Sequence, residues 1–164
     1  MKKLLIYLLL AAMILSFVAC KNDDTKPEEE EKIYTFTSGT TKIAIDAEAA
    51  PILEALGTWR AYDESASCAF EGLDKIYTYD GFEITTYPLN GKDYIFLIEF
   101  YDDTVATEEG IRIGSTKADV IATYGTPDEE TANALIYNGK GMFLQILFDE
   151  DAVMHIQYFK ETEQ

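Results

Sequence analysis

The stretch GIRIGSTKADVIATYGTP, Gly110 to Pro127, holds a strand, a turn, a helix and a stop in one short run. Ile111 and Ile113 alternate with polar neighbours, as in a short strand with one buried face. Gly114 turns the chain. Thr116 is placed to cap a helix, with Asp119 three residues on in the capping-box position. Val120, Ile121 and Tyr124 then give an apolar stripe at helical spacing. Gly125 and Pro127 stop the helix.

An earlier stretch, Ile43 to Gly57, repeats this plan. Lys42 to Ile45 reads as a short strand. Ala47 to Leu56 reads as a helix with Ile52, Leu53 and Leu56 on one side and Pro51 in its first turn, where a missing N–H costs little. Ile43, Ile45, Ile52 and Gly57 each lie 68 residues before Ile111, Ile113, Val120 and Gly125. Strand candidates follow each helix. They are Lys75 to Tyr79, Phe82 to Tyr87 and Tyr94 to Tyr101 in the first half, and Ala134 to Tyr137, Gly141 to Phe148 and Ala152 to Phe159 in the second. Asp80-Gly81 and Asn138-Gly139 are hairpin signals, because both residues accept the positive φ that tight turns require. Here the offset is 58: Tyr79, Gly81, Ile95, Ile98 and Phe100 precede Tyr137, Gly139, Val153, Ile156 and Tyr158. The difference falls in Trp59 to Asp74, a connection without a clear period. These spacings predict an α+β fold, a tandem repeat of helix plus antiparallel β-sheet units with the helices packed on one face of the sheet. Residues 39–103 form unit one and residues 104–164 form unit two, together one compact domain.

Strand alternation assigns faces. Tyr94, Phe96, Ile98 and Phe100, with Ala152, Met154, Ile156 and Tyr158, are apolar in both units and are expected against the helices. The opposite set, Ile95, Leu97 and Glu99 with Val153, His155 and Gln157, is mixed and is expected on an open face able to bind a partner. The chain has 11 tyrosines. Trp59, Tyr77, Tyr79, Tyr87 and Tyr101 are the aromatic residues of interest, either as interface anchors or as core and cross-strand packing. Tyr79 and Tyr87 join the candidate binding face.

The N-terminus reads as an address. Lys2 and Lys3 precede an apolar run from Leu4 to Ala19, the charged and apolar regions of a secretory signal. The run is shorter than the roughly 20 residues a spanning helix needs. Residues 20–38 follow as a tether. Within it, Lys21 to Lys32 (KNDDTKPEEEEK) has no large apolar residue, and such a composition cannot offset the entropy of ordering. Ile33 to Thr37 alternates and reads either as a strand or as the end of the tether.

The formal net charge is −17. A chain this acidic repels the phosphates of nucleic acid, whose binding needs Lys and Arg. A basic partner or bound cations are compatible with it. No cofactor motif is present: there is no glycine-rich phosphate loop, no CxxC and no serine nucleophile elbow. The single histidine, His155, leaves no His-rich metal site, and no catalytic set is assigned. Cys68 reads as a small buried residue or an idle thiol. Asp102-Asp103 and Asp149-Glu150-Asp151 sit at strand ends, where turn chemistry accounts for them.

Two resemblances follow from these motifs. Phe17-Val18-Ala19-Cys20 resembles the bacterial lipobox, with Phe17 departing from the usual leucine. It implies cleavage after residue 19, a fatty-acylated Cys20, and a protein held on the extracytoplasmic face of a membrane. Ile113-Gly114-Ser115-Thr116, Val120 and Tyr124-Gly125-Thr126-Pro127 resemble the β-lactamase inhibitor protein-like and SmpA/OmlA-like lipoproteins. That resemblance implies helical pieces on one sheet whose open face binds a protein; no inhibitory loop residues match, so β-lactamase inhibition is not implied. Cys68 to Lys75 and Tyr79 to Gly81 resemble uncharacterised lipoproteins of Gram-positive anaerobes. The expected function is a membrane-anchored, non-enzymatic binding lipoprotein with an unknown protein partner. The alternatives are an envelope hydrolase using clustered acids or Cys68, and an accessory to envelope assembly.

Overall fold

Residues Thr35 to Ala44 alternate about Gly39 and form a hairpin, β1 (Thr35–Ser38) and β2 (Thr41–Ala44). The computed structural model describes residues 32–162, so the signal segment and Cys20 lie outside the described residues. Phe36 and Ile43 face each other across this hairpin and are both buried. Tyr34 is buried too, so folded structure begins inside the segment expected as tether.

Helix α1 (Ala49–Leu56) carries Pro51 in its first turn and ends at Gly57, whose N–H bonds the Leu53 carbonyl at 3.1 Å. Four strands follow: β3 (Ala61–Ala66), β4 (Leu73–Thr78), β5 (Phe82–Leu89) and β6 (Lys92–Phe100). Helix α2 (Lys117–Tyr124) has the full capping box: Thr116 Oγ1 accepts from the Asp119 N–H, and Asp119 accepts from the Thr116 N–H, each at 3.1 Å. Then come β7 (Glu129–Glu130), β8 (Ala134–Gly139), β9 (Met142–Asp149) and β10 (Ala152–Lys160).

The expected tandem α+β repeat is not what forms. The protein is mostly β-sheet, 49% strand against 12% helix. Eight strands make a single antiparallel sheet in the order β3-β4-β5-β6-β10-β9-β8-β7. The reason lies at its centre. The outer edges of β6 and β10 carry backbone groups that must be paired. They pair with each other, Leu97 opposite Phe159 and Phe100 opposite Ile156. Two potential units thereby merge into one sheet over one core. The helices, eight residues each, bury only Ala49 in α1 and Val120 and Tyr124 in α2.

One face of the sheet is covered by the β1–β2 hairpin, α1 and α2, whose apolar residues share a single cluster with the strands. Phe36 wedges between Phe82 and Phe100, ring centres 4.9 and 4.6 Å away, both edge to face. The Tyr124 hydroxyl lies 2.7 Å from both Thr107 Oγ1 and Glu109 Oε2. A carboxylate only accepts, so Tyr124 donates to Glu109 and receives from Thr107.

Two β-bulges change the face assignment. Thr85 pairs with Leu97 but Thr86 pairs with Ile95, which leaves Phe96 as an extra residue. In β10, Val153 pairs with Phe148 and His155 with Leu147, which leaves Met154 extra. A bulge reverses the in–out alternation beyond it. Ile95 and Val153 therefore point into the core at 0% and 2% exposure, whereas Met154 is 41% exposed. The expected assignment of Ile95 and Val153 to the open face, and of Ala152, Phe96 and Met154 to the core, is corrected accordingly.

Candidate functional site

Among the described residues no helix lies over the second face of the sheet, and its side chains lie in cross-strand rows. One row is polar. Glu83 pairs with Glu99, Glu99 with Gln157, and Gln157 with Gln145. The adjacent row is apolar, with Leu97 opposite Phe159 and Phe159 opposite Phe143. The rings of Phe143 and Phe159 are 5.2 Å apart. All these residues are half-buried, because neighbours on a pleated surface shade one another.

At the centre, Gln157 Nε2 donates to Glu99 Oε1 at 3.1 Å. His155 Nδ1 lies 3.2 Å from the same oxygen, close enough for an ion pair but misaligned for a hydrogen bond, so Nδ1 is shielded from water without a hydrogen-bond partner. Thr78 Oγ1 donates to Glu83 Oε2 at 2.9 Å. One end of the face is closed by the loop after β3. Phe70 packs on Tyr87 with ring centres 4.5 Å apart, and Lys160 Nζ sits 5.6 Å from the Tyr87 ring centre. Lys160 also bonds Asp46 at 2.9 Å, and the Tyr87 hydroxyl donates to Asp46. Burial opposes ionisation of Asp46, but these two hydrogen bonds and the Lys160 charge together hold its carboxyl below the usual range.

Of the candidate binding residues, Leu97, Glu99, His155 and Gln157 come together on this face. Ile95 and Val153 are in the core. Tyr79 and Tyr87 are also buried, at 7% and 3% exposure. Tyr79 stacks on Phe82 at 5.0 Å, a packing role rather than a contact surface. Phe143, Gln145 and Phe159 belong to the face and were not singled out in the sequence. Their signal was available in the alternation of β9, which buries every second residue from Met142 to Phe148.

Cys68 is exposed in the loop after β3, not buried. Among the described residues, the acidic partner of His155 is Glu99, and no cluster of three or more His, Cys, Asp or Glu is placed to hold a metal ion. Asp102 accepts from the Thr104 side chain and N–H, which lower its pKa in that order; this is turn chemistry.

A second surface lies on the covered side, at the end of the sheet beside α1. Tyr62 of β3 pairs with Tyr77 of β4, their ring centres 5.2 Å apart, and Trp59 stands 5.2 Å from Tyr77 and 6.2 Å from Tyr62. Leu53, Glu54, Gly57 and Thr58 complete a groove with Trp59 and Tyr77. The Tyr62 hydroxyl donates to Glu64, and that hydrogen bond pushes its pKa up to about 12. Lys75 bonds Asp93 at 2.7 Å, which raises the lysine pKa, and Lys92 bonds Glu48 at 2.7 Å with the same effect.

Comparison with known family models, curated proteins and solved structures finds no match for this chain.

Proposed function

We propose that the mature protein is an envelope lipoprotein, anchored through an acylated Cys20 on the extracytoplasmic face of the membrane. It binds a protein partner on the open face of its sheet and catalyses no reaction. The observation that carries this reading is the pair of rows, Leu97–Phe159–Phe143 beside Glu99–Gln157–Gln145, on the face that no described helix covers. An apolar strip beside hydrogen-bonding groups has the composition of a recognition surface, in which aromatic anchors supply burial and polar groups set register. The charge of the chain argues against nucleic acid as the partner. The resemblance of Phe17 to Cys20 to a lipobox, with the acidic segment Lys21 to Lys32 after it, supports the anchored part of this reading.

Two experiments test the two halves of the proposal. Cys20→Ser should abolish fatty-acid labelling and release the protein from the membrane fraction; continued labelling would refute the anchor. A photo-cross-linking residue at Gln157 should give one discrete adduct in the native envelope. The same residue at Ala122, exposed on α2, should give none. Leu97→Asp with Phe159→Asp should remove the adduct while circular dichroism stays native. Equal labelling from Gln157 and Ala122, or none from either, would refute a binding face.

A further inference from the structure

We infer a second recognition site, independent of the open sheet face: the groove between α1 and β3–β4 receives a lysine or arginine side chain from a basic segment of a protein partner. Trp59 and Tyr62 are 41% and 44% exposed, although both are large aromatic residues beside a core into which their neighbour Tyr77 is buried. Their tilted and edge-on arrangement leaves aromatic surface in solvent. The face of an aromatic ring is the negative part of its quadrupole, so it attracts an ammonium or guanidinium group.

The surrounding charge selects the same ligand. Glu54 lines the groove, and Glu64 is held by Tyr62. Glu48 and Asp93 line the adjoining hollow, which shares Leu53 and Tyr77 with the groove. Those four carboxylates face two ammonium groups, Lys75 and Lys92, already ion-paired to Asp93 and Glu48. Glu54 and Glu64 make no ion pair among the described residues. Leu53 offers apolar surface for the methylene stem of a long cationic side chain, which buries its stem while its head stays polar. The hollow continues past Ala49 and Ala50 to Gly91, so a polypeptide fills it better than a lone ammonium ion.

Trp59 is the single tryptophan of the chain, so its emission reports on the groove directly. The full-length protein is titrated with an oligolysine peptide, an oligoglutamate peptide of equal length and tetramethylammonium chloride. Oligolysine should shift Trp59 emission saturably. Glu54→Gln combined with Glu64→Gln should weaken its binding about tenfold, the loss expected when two carboxylates beside a bound cation are neutralised. Tyr62→Leu should weaken it by a similar factor with native circular dichroism. Glu129→Gln combined with Asp151→Asn removes the same charge elsewhere and should leave affinity within about twofold, because screened distant charges contribute little. The inference is overturned if this control weakens binding as much as the groove variant. It is equally overturned if Trp59 emission stays unchanged, if oligoglutamate binds as well, or if tetramethylammonium alone binds as tightly as the peptide.

Discussion

Replacing Phe36 by alanine probes the least expected part of the core, the hairpin that closes it. Phe36 is 2% exposed and wedged between Phe82 and Phe100 at 4.9 and 4.6 Å. A buried Phe→Ala change costs about 3–5 kcal/mol through lost transfer energy and the cavity left behind. Each edge-to-face contact adds about 0.5–1.5 kcal/mol beyond area burial, which places Phe36 near the top of that range. Domains of this kind have a total stability of about 5–15 kcal/mol, so the variant should lose a large share of it. Chemical denaturation followed by far-UV circular dichroism, with Phe143→Ala as the comparison, measures the difference. Phe143 is half-buried on the uncovered face and should cost only about 1–2 kcal/mol, in proportion to the area it removes from water. A Phe36→Ala loss below about 1 kcal/mol, or one no larger than that of Phe143→Ala, would show that the hairpin does not plug the core.

Three further outcomes are expected. Gly81 has φ 83°, and an added Cβ would sit 2.3 Å from Thr104 Oγ1 and 2.8 Å from Asp102 Oδ1. Gly81→Ala should cost about 2–3 kcal/mol against about 1 kcal/mol for Gly39→Ala, which has a positive φ but open space; thermal melts giving the reverse order would refute the contact. Burial raises the phenol pKa values of Tyr77, Tyr79, Tyr87, Tyr124 and Tyr158, and lifts Tyr137 to about 12. Folded values above the unfolded value of 10.0 give stability that is complete below pH 10 and is lost as pH rises toward them. Tyrosinate absorbance should therefore appear together with loss of β-sheet signal, and independent titration of all tyrosines near pH 10 in folded protein would refute this. Asp119 is lowered from 3.8 by hydrogen bonds from the Thr116 side chain and N–H. Its contribution is present above that value and lost as pH falls through the lower folded value, so Asp119→Ala should flatten the acid limb of stability; parallel pH profiles would refute it.

What could be read from the sequence follows the range over which each feature is determined. The capping box at Thr116 and Asp119, the stops at Gly57 and Gly125, and the turn at Asp80-Gly81 depend on a few adjacent residues, and all form where their chemistry places them. The β8–β9 turn falls at Lys140-Gly141, just beyond the expected Asn138-Gly139, because Gly139 still pairs with Met142. The merger of the sheet is a contact between β6 and β10, far apart in sequence, and alternation within either strand carries no trace of it. Extra residues at Phe96 and Met154 are likewise silent, since a bulge is defined by the partner strand. That is why Ile95 and Val153 landed on the wrong side. Strand β3 escaped notice for a different reason: all its residues are exposed, so no buried face imposes a period.

The two outermost strands leave backbone groups open along the rims, which in many proteins invites copies to join end to end. Here both rims are acidic, with Asp63 and Glu64 on one and Glu129 and Glu130 on the other, all exposed. Copies approaching rim to rim meet carboxylate against carboxylate, which blocks filament growth at neutral pH and low salt. Crowding many such molecules together would then keep them as separate particles, and acid or high ionic strength would weaken that protection.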